Sequence, residues 1–232
     1  MVGRKSFGIL FLVKKWTLAV KKFSYFYYAK FFNTKGHFNF CMMIAIPTLF
    51  KEVFLIKPLV HKDARGSFRE GYKGKDFQRL IGSQIDFCQD NLTDSKKGVL
   101  RGLHYQLPPF SQSKLVTVLQ GSVLDVVVDI RKGSPTFGKH FSQELSAKNQ
   151  LQLFVPRGFA HGYITLSASS LFMYKVDQYY HPKSEGSIAP DDPNLGIDWR
   201  LPKSEWIQSE KDQNHPALDQ TKLFDYKEDL YA

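Results

Sequence analysis

The sequence predicts an all-β protein, a double-stranded β-helix of the jelly-roll barrel type with a few short helices. Short runs rich in Val, Leu, Ile and Phe recur at residues 53–58, 85–89, 115–119, 123–130, 150–155, 162–166 and 171–176. Turn residues separate many of them, at Gly121-Ser122, Gly133-Ser134-Pro135 and Pro156-Arg157-Gly158. Many short strands at close spacing fit a sandwich or barrel. Neither a βαβ alternation nor a Gly-rich phosphate loop appears. In the run 123–130, Leu124, Val126, Val128 and Ile130 alternate onto one face, and Asp125 and Asp129 onto the other, which is expected to meet solvent. Helical signals are confined to residues 76–81 and the tail near 216–230.

The chain has 232 residues, a length that a single barrel domain can occupy. Two cysteines, Cys41 and Cys88, make neither a disulfide framework nor a zinc-ligand pattern, so a reducing, cytoplasmic setting is expected. The net charge of +10 comes from one end. Residues 1–42 hold eight Lys or Arg and no acidic residue, leaving 24 basic against 22 acidic residues elsewhere. A nucleic-acid partner is therefore not expected. No apolar run is long enough to cross a bilayer, so the folded domain is expected to have no membrane association.

The domain reading is a basic, aromatic extension over 1–42 and one jelly-roll domain over 43–232. Three origins compete for the extension: a surface touching anionic lipid, a targeting peptide, and a start site assigned too far upstream. The last is favoured because no element pattern there has a matching polar face. If translated, the segment is expected to be poorly ordered or loosely packed.

The chemistry-bearing residues cluster in motifs. Gly98-Val-Leu-Arg101-Gly-Leu-His104-Tyr-Gln precedes Lys114, and Pro156-Arg-Gly-Phe-Ala-His161 precedes Tyr174. A base, a cation, a second imidazole and a phenol are the parts of a proton-shuttling site beside a carbonyl. Pro-x-Gly-x-x-His at 156–161 resembles the second motif of the cupins, a jelly-roll superfamily. The first cupin motif needs His-x-His, and His104-Tyr105-Gln106 lacks it. A lone histidine plus a lysine is a poor metal-ligand set, so no metal is expected.

Taken in order, the motifs resemble the dTDP-4-dehydrorhamnose 3,5-epimerase family over roughly residues 43–215. They are Asp63-Ala-Arg65-Gly66-Ser-Phe68-Arg-Glu70, Gln89-Asp-Asn91, the run from Gly98 to Gln106, and Gln112-Ser-Lys114. They continue through Val128-Asp-Ile-Arg131-Lys-Gly-Ser134, Gly158-Phe-Ala-His161-Gly, Tyr174-Lys, Tyr179-Tyr180 and Ser209-Glu-Lys211-Asp212.

The resemblance implies that His104 removes the proton beside a C4 ketone and that Asp212 orients it. Lys114 would sit near the developing enolate oxygen, and Tyr174 would return a proton from the opposite face. It places Arg65, Phe68, Glu70, Gln89, Asn91, Arg101, His161, Tyr180, Glu185 and Lys211 against the nucleotide-sugar. It implies no cofactor, a dTDP-4-keto-6-deoxy sugar substrate, and a homodimer in which strands near the amino end cross to the partner. A related enzyme epimerising only one carbon and a metal-dependent cupin enzyme are the alternatives. One departure is the run Gly-Ser-Ile-Ala-Pro-Asp-Asp-Pro after Glu185, where the family usually carries a tryptophan before Asp-Asp-Pro. This loop is expected to alter the hold on substrate.

Overall fold

The computed structural model describes residues 31–32, 38–39 and 43–232. The expectation of loose order over 1–42 therefore falls largely outside the described residues. Within that stretch, Phe31–Phe32 pairs antiparallel with Phe38–Asn39, a ladder not anticipated from sequence.

Two antiparallel sheets face each other. Their strands are β1 (Met43–Pro47), β2 (Phe54–Pro58), β3 (Gln89–Lys96), β4 (Leu100–Gln106), β5 (Lys114–Gln120) and β6 (Ser122–Asp129). The series continues with β7 (His140–Ser146), β8 (Gln152–Val155), β9 (Phe159–Thr165), β10 (Ser169–Val176) and β11 (Glu185–Ser187). The six-stranded sheet runs β1-β2-β8-β5-β10-β3, and the five-stranded sheet runs β7-β6-β9-β4-β11. This is the expected jelly roll, and the chain order jumps between sheets as such a roll requires.

Side-chain alternation divides the apolar residues into three layers. Val116, Val118, Val123, Val127, Phe159 and Phe172 fill the space between the sheets. Leu124, Val126, Val128 and Ile130 point outward from the five-stranded sheet, where Ile188, Trp199, Leu218 and Phe224 cover them. Leu115, Phe154 and Ile56 lie outside the six-stranded sheet, under Phe77 of helix α1 (Gly74–Ile81).

The alternation expected for β6 holds, but its polar face is not wet. Asp125 and Asp129 are fully buried, because that face is the barrel interior rather than the surface. Their charges are compensated in place. Asp129 accepts from the Arg131 guanidinium at 2.8 and 2.9 Å and from Ser134 and Thr136 at 2.6 Å each. Asp125 accepts from His161. Buried carboxylates persist only when so satisfied.

Two further expectations change. Residues 85–88 form no strand; Ile85 instead packs under α1, and pairing starts at Gln89. The tail 216–230 forms no α-helix. It holds a single 3-10 turn, Leu218–Gln220, and a short strand, Phe224–Asp225, parallel to Arg131–Lys132. Leu218, Leu223, Phe224 and Leu230 are laid across the outer face of the five-stranded sheet, and burying them in one layer overrides weak helical propensity.

Candidate active site

A cavity of about 210 Å³ opens between the sheets. Arg101, His104, His161, Gly162 and Tyr163 line it from β4 and β9 of one sheet. Thr93, Lys114, Phe172 and Tyr174 line it from β3, β5 and β10 of the other. His104 and Tyr174 therefore stand on opposing walls. Asp212 enters from helix α2 (Glu210–Gln213), whose first turn is capped by the Ser209 hydroxyl accepting from the Asp212 N–H at 3.1 Å.

Strict alternation would not put both Arg101 and His104 in the cavity, because three positions separate them. The register against β9 slips at this point, pairing His104 with His161 and Arg101 with Tyr163. The extra residue on β4 is a bulge that re-aims the side chains. It needs glycine: Gly102 has φ +123°, and a Cβ there would lie 2.5 Å from the Gly162 Cα. Lys114 and Tyr174 follow ordinary alternation, at the open ends of the inward rows Lys114-Val116-Val118 and Phe172-Tyr174.

Two His–Asp pairs share this cavity. A ring nitrogen of His104 lies 2.7 Å from Asp212 Oδ1, with side chains 28% and 8% exposed. His161 meets both carboxyl oxygens of Asp125 at 2.9 and 3.0 Å, with side chains 7% and 0% exposed. Burial lowers the His104 pKa against the opposing pull of Asp212, with Lys114 and His215 adding to the fall. Burial thereby favours the neutral imidazole, the form that accepts a proton. Burial would raise Asp212, but the imidazoles of His104 and His215 hold its carboxyl well below the usual range. Burial raises Asp125, opposed by His161 and Lys114. Burial lowers Lys114 to about 8, opposed by Asp125 and Glu185. Burial, reinforced by Tyr163, raises the Tyr174 phenol, so it stays protonated.

Of the residues singled out from sequence, the cavity gathers Arg101, His104, Lys114, His161, Tyr174 and Asp212. Glu185, on β11 beside β4, is a second cluster's centre: Lys211 pairs with it and the Tyr180 hydroxyl donates to it at 2.6 Å. Gln89 and Asn91 lie on β3, bonded to each other at 2.7 Å, with Asn91 opposite Tyr174.

Arg65, Phe68 and Glu70 are not brought to this cavity. Arg65 and Phe68 belong to the hairpin 60–69 and Glu70 follows it; Phe68 is 66% exposed and Arg65 pairs with Asp63. The departing loop after Glu185 does not line the cavity either. Its Ile188 and Leu195, with the adjoining Trp199, are buried beneath the outer face of the five-stranded sheet, and the Trp199 indole donates to the Pro190 carbonyl at 2.8 Å.

Sequence reasoning missed Thr93, Tyr163, Phe172, Asp125 and His215. Tyr163 shares a 2.6 Å hydrogen bond with Thr93 across the cavity, linking the two sheets. The inward parity of Asp125 was the available signal, misassigned to solvent. His215 follows Asp212 by three positions, one helical turn, which was a readable spacing. Its side chain is 2% exposed, and its Nε2 lies 3.2 Å from Asp212 Oδ1 at an angle that misses hydrogen bonding. His104, Asp212 and His215 are the described His, Asp, Glu or Cys residues whose donor atoms converge closely enough to hold a metal ion.

Fold and cavity together define a cupin-like jelly-roll protein with an acid–base site facing across its barrel. Residues 47–220 match the family model for dTDP-4-dehydrorhamnose 3,5-epimerase, and the chain belongs to that family. It is 48% identical over 182 residues to the dTDP-4-dehydrorhamnose 3,5-epimerase of Salmonella typhimurium, covering 78% of this chain and 99% of that protein. A dTDP-6-deoxy-D-glucose-3,5-epimerase from Legionella pneumophila, solved with dTDP-4-keto-L-rhamnose, superposes with a TM-score of 0.77 at 46% identity, covering 80% of this chain and 100% of that one. A 3'-monoepimerase from Streptomyces bikiniensis, solved with dTDP-quinovose, is more distant, with a TM-score of 0.69 at 33% identity, covering 75% and 87%.

Proposed function

We propose that the protein epimerises dTDP-4-dehydro-6-deoxy-D-glucose at C3 and C5, giving dTDP-4-dehydro-L-rhamnose. The observation that carries this reading is His104 and Tyr174 on opposing walls of one cavity, where burial favours the neutral imidazole and the protonated phenol. A hydrogen beside a ketone is weakly acidic, and its removal near neutral pH calls for a base of matching pKa. His104 takes that proton, and Asp212 fixes the imidazole's tautomer and orientation. The electron pair passes into the carbonyl, leaving negative charge on the C4 oxygen. Lys114 stabilises that enolate, an effect worth about 3–4 kcal/mol where such donors have been removed elsewhere. Tyr174 then delivers a proton to the other face of the carbon, and the centre inverts. Carbon oxidation state is unchanged, so the substrate's own ketone supplies the electron sink.

Arg101 and Lys211 are assigned to the diphosphate, for which guanidinium and ammonium groups are the natural partners. Gln89, Asn91, His161, Tyr180 and Glu185 are assigned to the remaining contacts of the nucleotide-sugar. Arg65, Phe68 and Glu70 fit a two-fold homodimer in which the exposed hairpin serves the partner's cavity. Sedimentation at micromolar concentration reads this directly: a dimer mass supports it and a monomer overturns it. A cytoplasmic location suits an enzyme of nucleotide-sugar synthesis. Among the described residues no helix is long and apolar enough to cross a membrane.

The deciding experiment is incubation with the substrate in deuterated water. Label at both C3 and C5 supports the double epimerisation. Label at one carbon supports a single-site epimerase, and no label overturns both.

A further inference from the structure

His215 has no part in the proton transfers, yet its side chain is almost wholly enclosed beside the site. Among the described residues neither ring nitrogen makes a hydrogen bond of good geometry, and Nε2 has one polar neighbour, Asp212 Oδ1 at 3.2 Å. A buried imidazole left unsatisfied is uncommon, and an ion is one of the few things that satisfies it. The ring stands edge-on to His104, with centroids 5.1 Å apart. Donor atoms of His104, Asp212 and His215 all lie within 4.8 Å of one another.

We propose that His104, Asp212 and His215 form an inhibitory binding site for a borderline divalent cation of the zinc type. This rests on the assignment of His104 as the base. Two imidazoles and one carboxylate suit Zn²⁺ or Co²⁺, whereas Mg²⁺ and Ca²⁺ take oxygen ligands. Three protein ligands leave the fourth tetrahedral position to water. Ligand atoms around such an ion stand about 3.3 Å apart, given metal–nitrogen bonds of ~2.0 Å. The separations to Asp212 Oδ1 are 2.7 Å from His104 and 3.2 Å from His215, and side-chain rotation must draw the two imidazoles, whose donors lie within 4.8 Å of one another, toward the ion. Bound at Nε2, the nitrogen that faces Asp212, the ion moves the ring proton onto Nδ1, which then has no lone pair to accept the substrate proton. The hydrogen bond between His104 and Asp212 is exchanged for two bonds to the metal. Lys114 faces the same cavity and opposes a cation, while Glu185 favours one but is already paired with Lys211. The site is therefore expected to bind reversibly rather than to retain a resident ion.

The test uses the full chain, stripped with EDTA and titrated with Co²⁺ in a non-coordinating buffer. The expected result is a visible Co²⁺ absorption band that saturates at one ion per chain. Zn²⁺ should displace the band and suppress deuterium incorporation, and EDTA should restore incorporation. In His215→Ala the band should weaken and Zn²⁺ inhibition should need roughly tenfold more metal, since even the loss of a supporting partner costs that much affinity. Thermal melting serves as the folding control for this variant, its Zn²⁺ inhibition is read against its own metal-free rate, and His215→Gln is the second variant should it fail to fold. No band in the wild-type chain, or equal metal sensitivity in the wild type and both variants, overturns the proposal. Failure of the epimerase assignment is separately visible, as a chain that binds Co²⁺ through His215 but exchanges no deuterium.

Discussion

The two His–Asp pairs of the cavity use the same chemical parts in different settings. His104 and Asp212 meet where a sheet strand touches a short capped helix, and the imidazole keeps more than a quarter of its surface open. His161 and Asp125 sit on neighbouring strands, directly inside the barrel and almost closed to solvent. Both carboxyl oxygens of Asp125 engage His161, whereas Asp212 shares one oxygen between two imidazoles. The open pair has room to exchange a proton with a ligand. The closed pair is expected to bear on stability and on the shape of the cavity floor.

Substitutions that treat the pairs alike should separate them. His104→Ala is expected to lower kcat by about 10³-fold, within the usual span for general acid–base groups, while the Tm changes little. Asp125→Ala should fall mainly on stability, with a smaller loss of kcat as Lys114 loses one of the carboxylates that favour its charge. It strands the imidazole of His161 in the interior, and breaking a buried pair in this way costs about 3 kcal/mol, a fall in Tm of roughly 6–12 °C by calorimetry. A Tm unchanged in Asp125→Ala would erase the distinction. Asp212→Asn is expected to reduce kcat on the order of 10²-fold, through loss of imidazole orientation, with a smaller thermal cost than Asp125→Ala.

A graded effect concerns Lys114, which the Asp125 and Glu185 carboxylates hold up against burial at a pKa of about 8. A lysine is charged below its pKa, so enolate stabilisation is present below pH 8 and is lost as pH rises through it. The expected profile of kcat/KM declines about tenfold per pH unit beyond that point. Lys114→Met should remove this limb while lowering the plateau.

Much of this was legible in the sequence. The order of motifs, the close spacing of short apolar runs such as those of β5 and β10, and the alternation of β6 sufficed for the jelly roll. Strands β3 and β4 carried little apolar signal, because their inward residues, among them Thr93, Arg101 and His104, line a polar cavity. The bulge at Gly102 further broke the period of two in β4. Parity correctly put Asp125 opposite Leu124 and Val126, but parity alone does not say which face is inside. Only the tail laid over the outer face decides that. Arg65, Phe68 and Glu70 stood out by motif, and a single chain gives them no place at its own cavity.

The central claim is that His104 and Tyr174 work from opposite faces of the same carbon, and Tyr174→Phe in deuterated water tests it most directly. The account predicts that deuterium still enters the recovered substrate, because His104 exchanges its proton with solvent, while inverted product falls by about 10²-fold. Inverted product formed at the wild-type rate would contradict it.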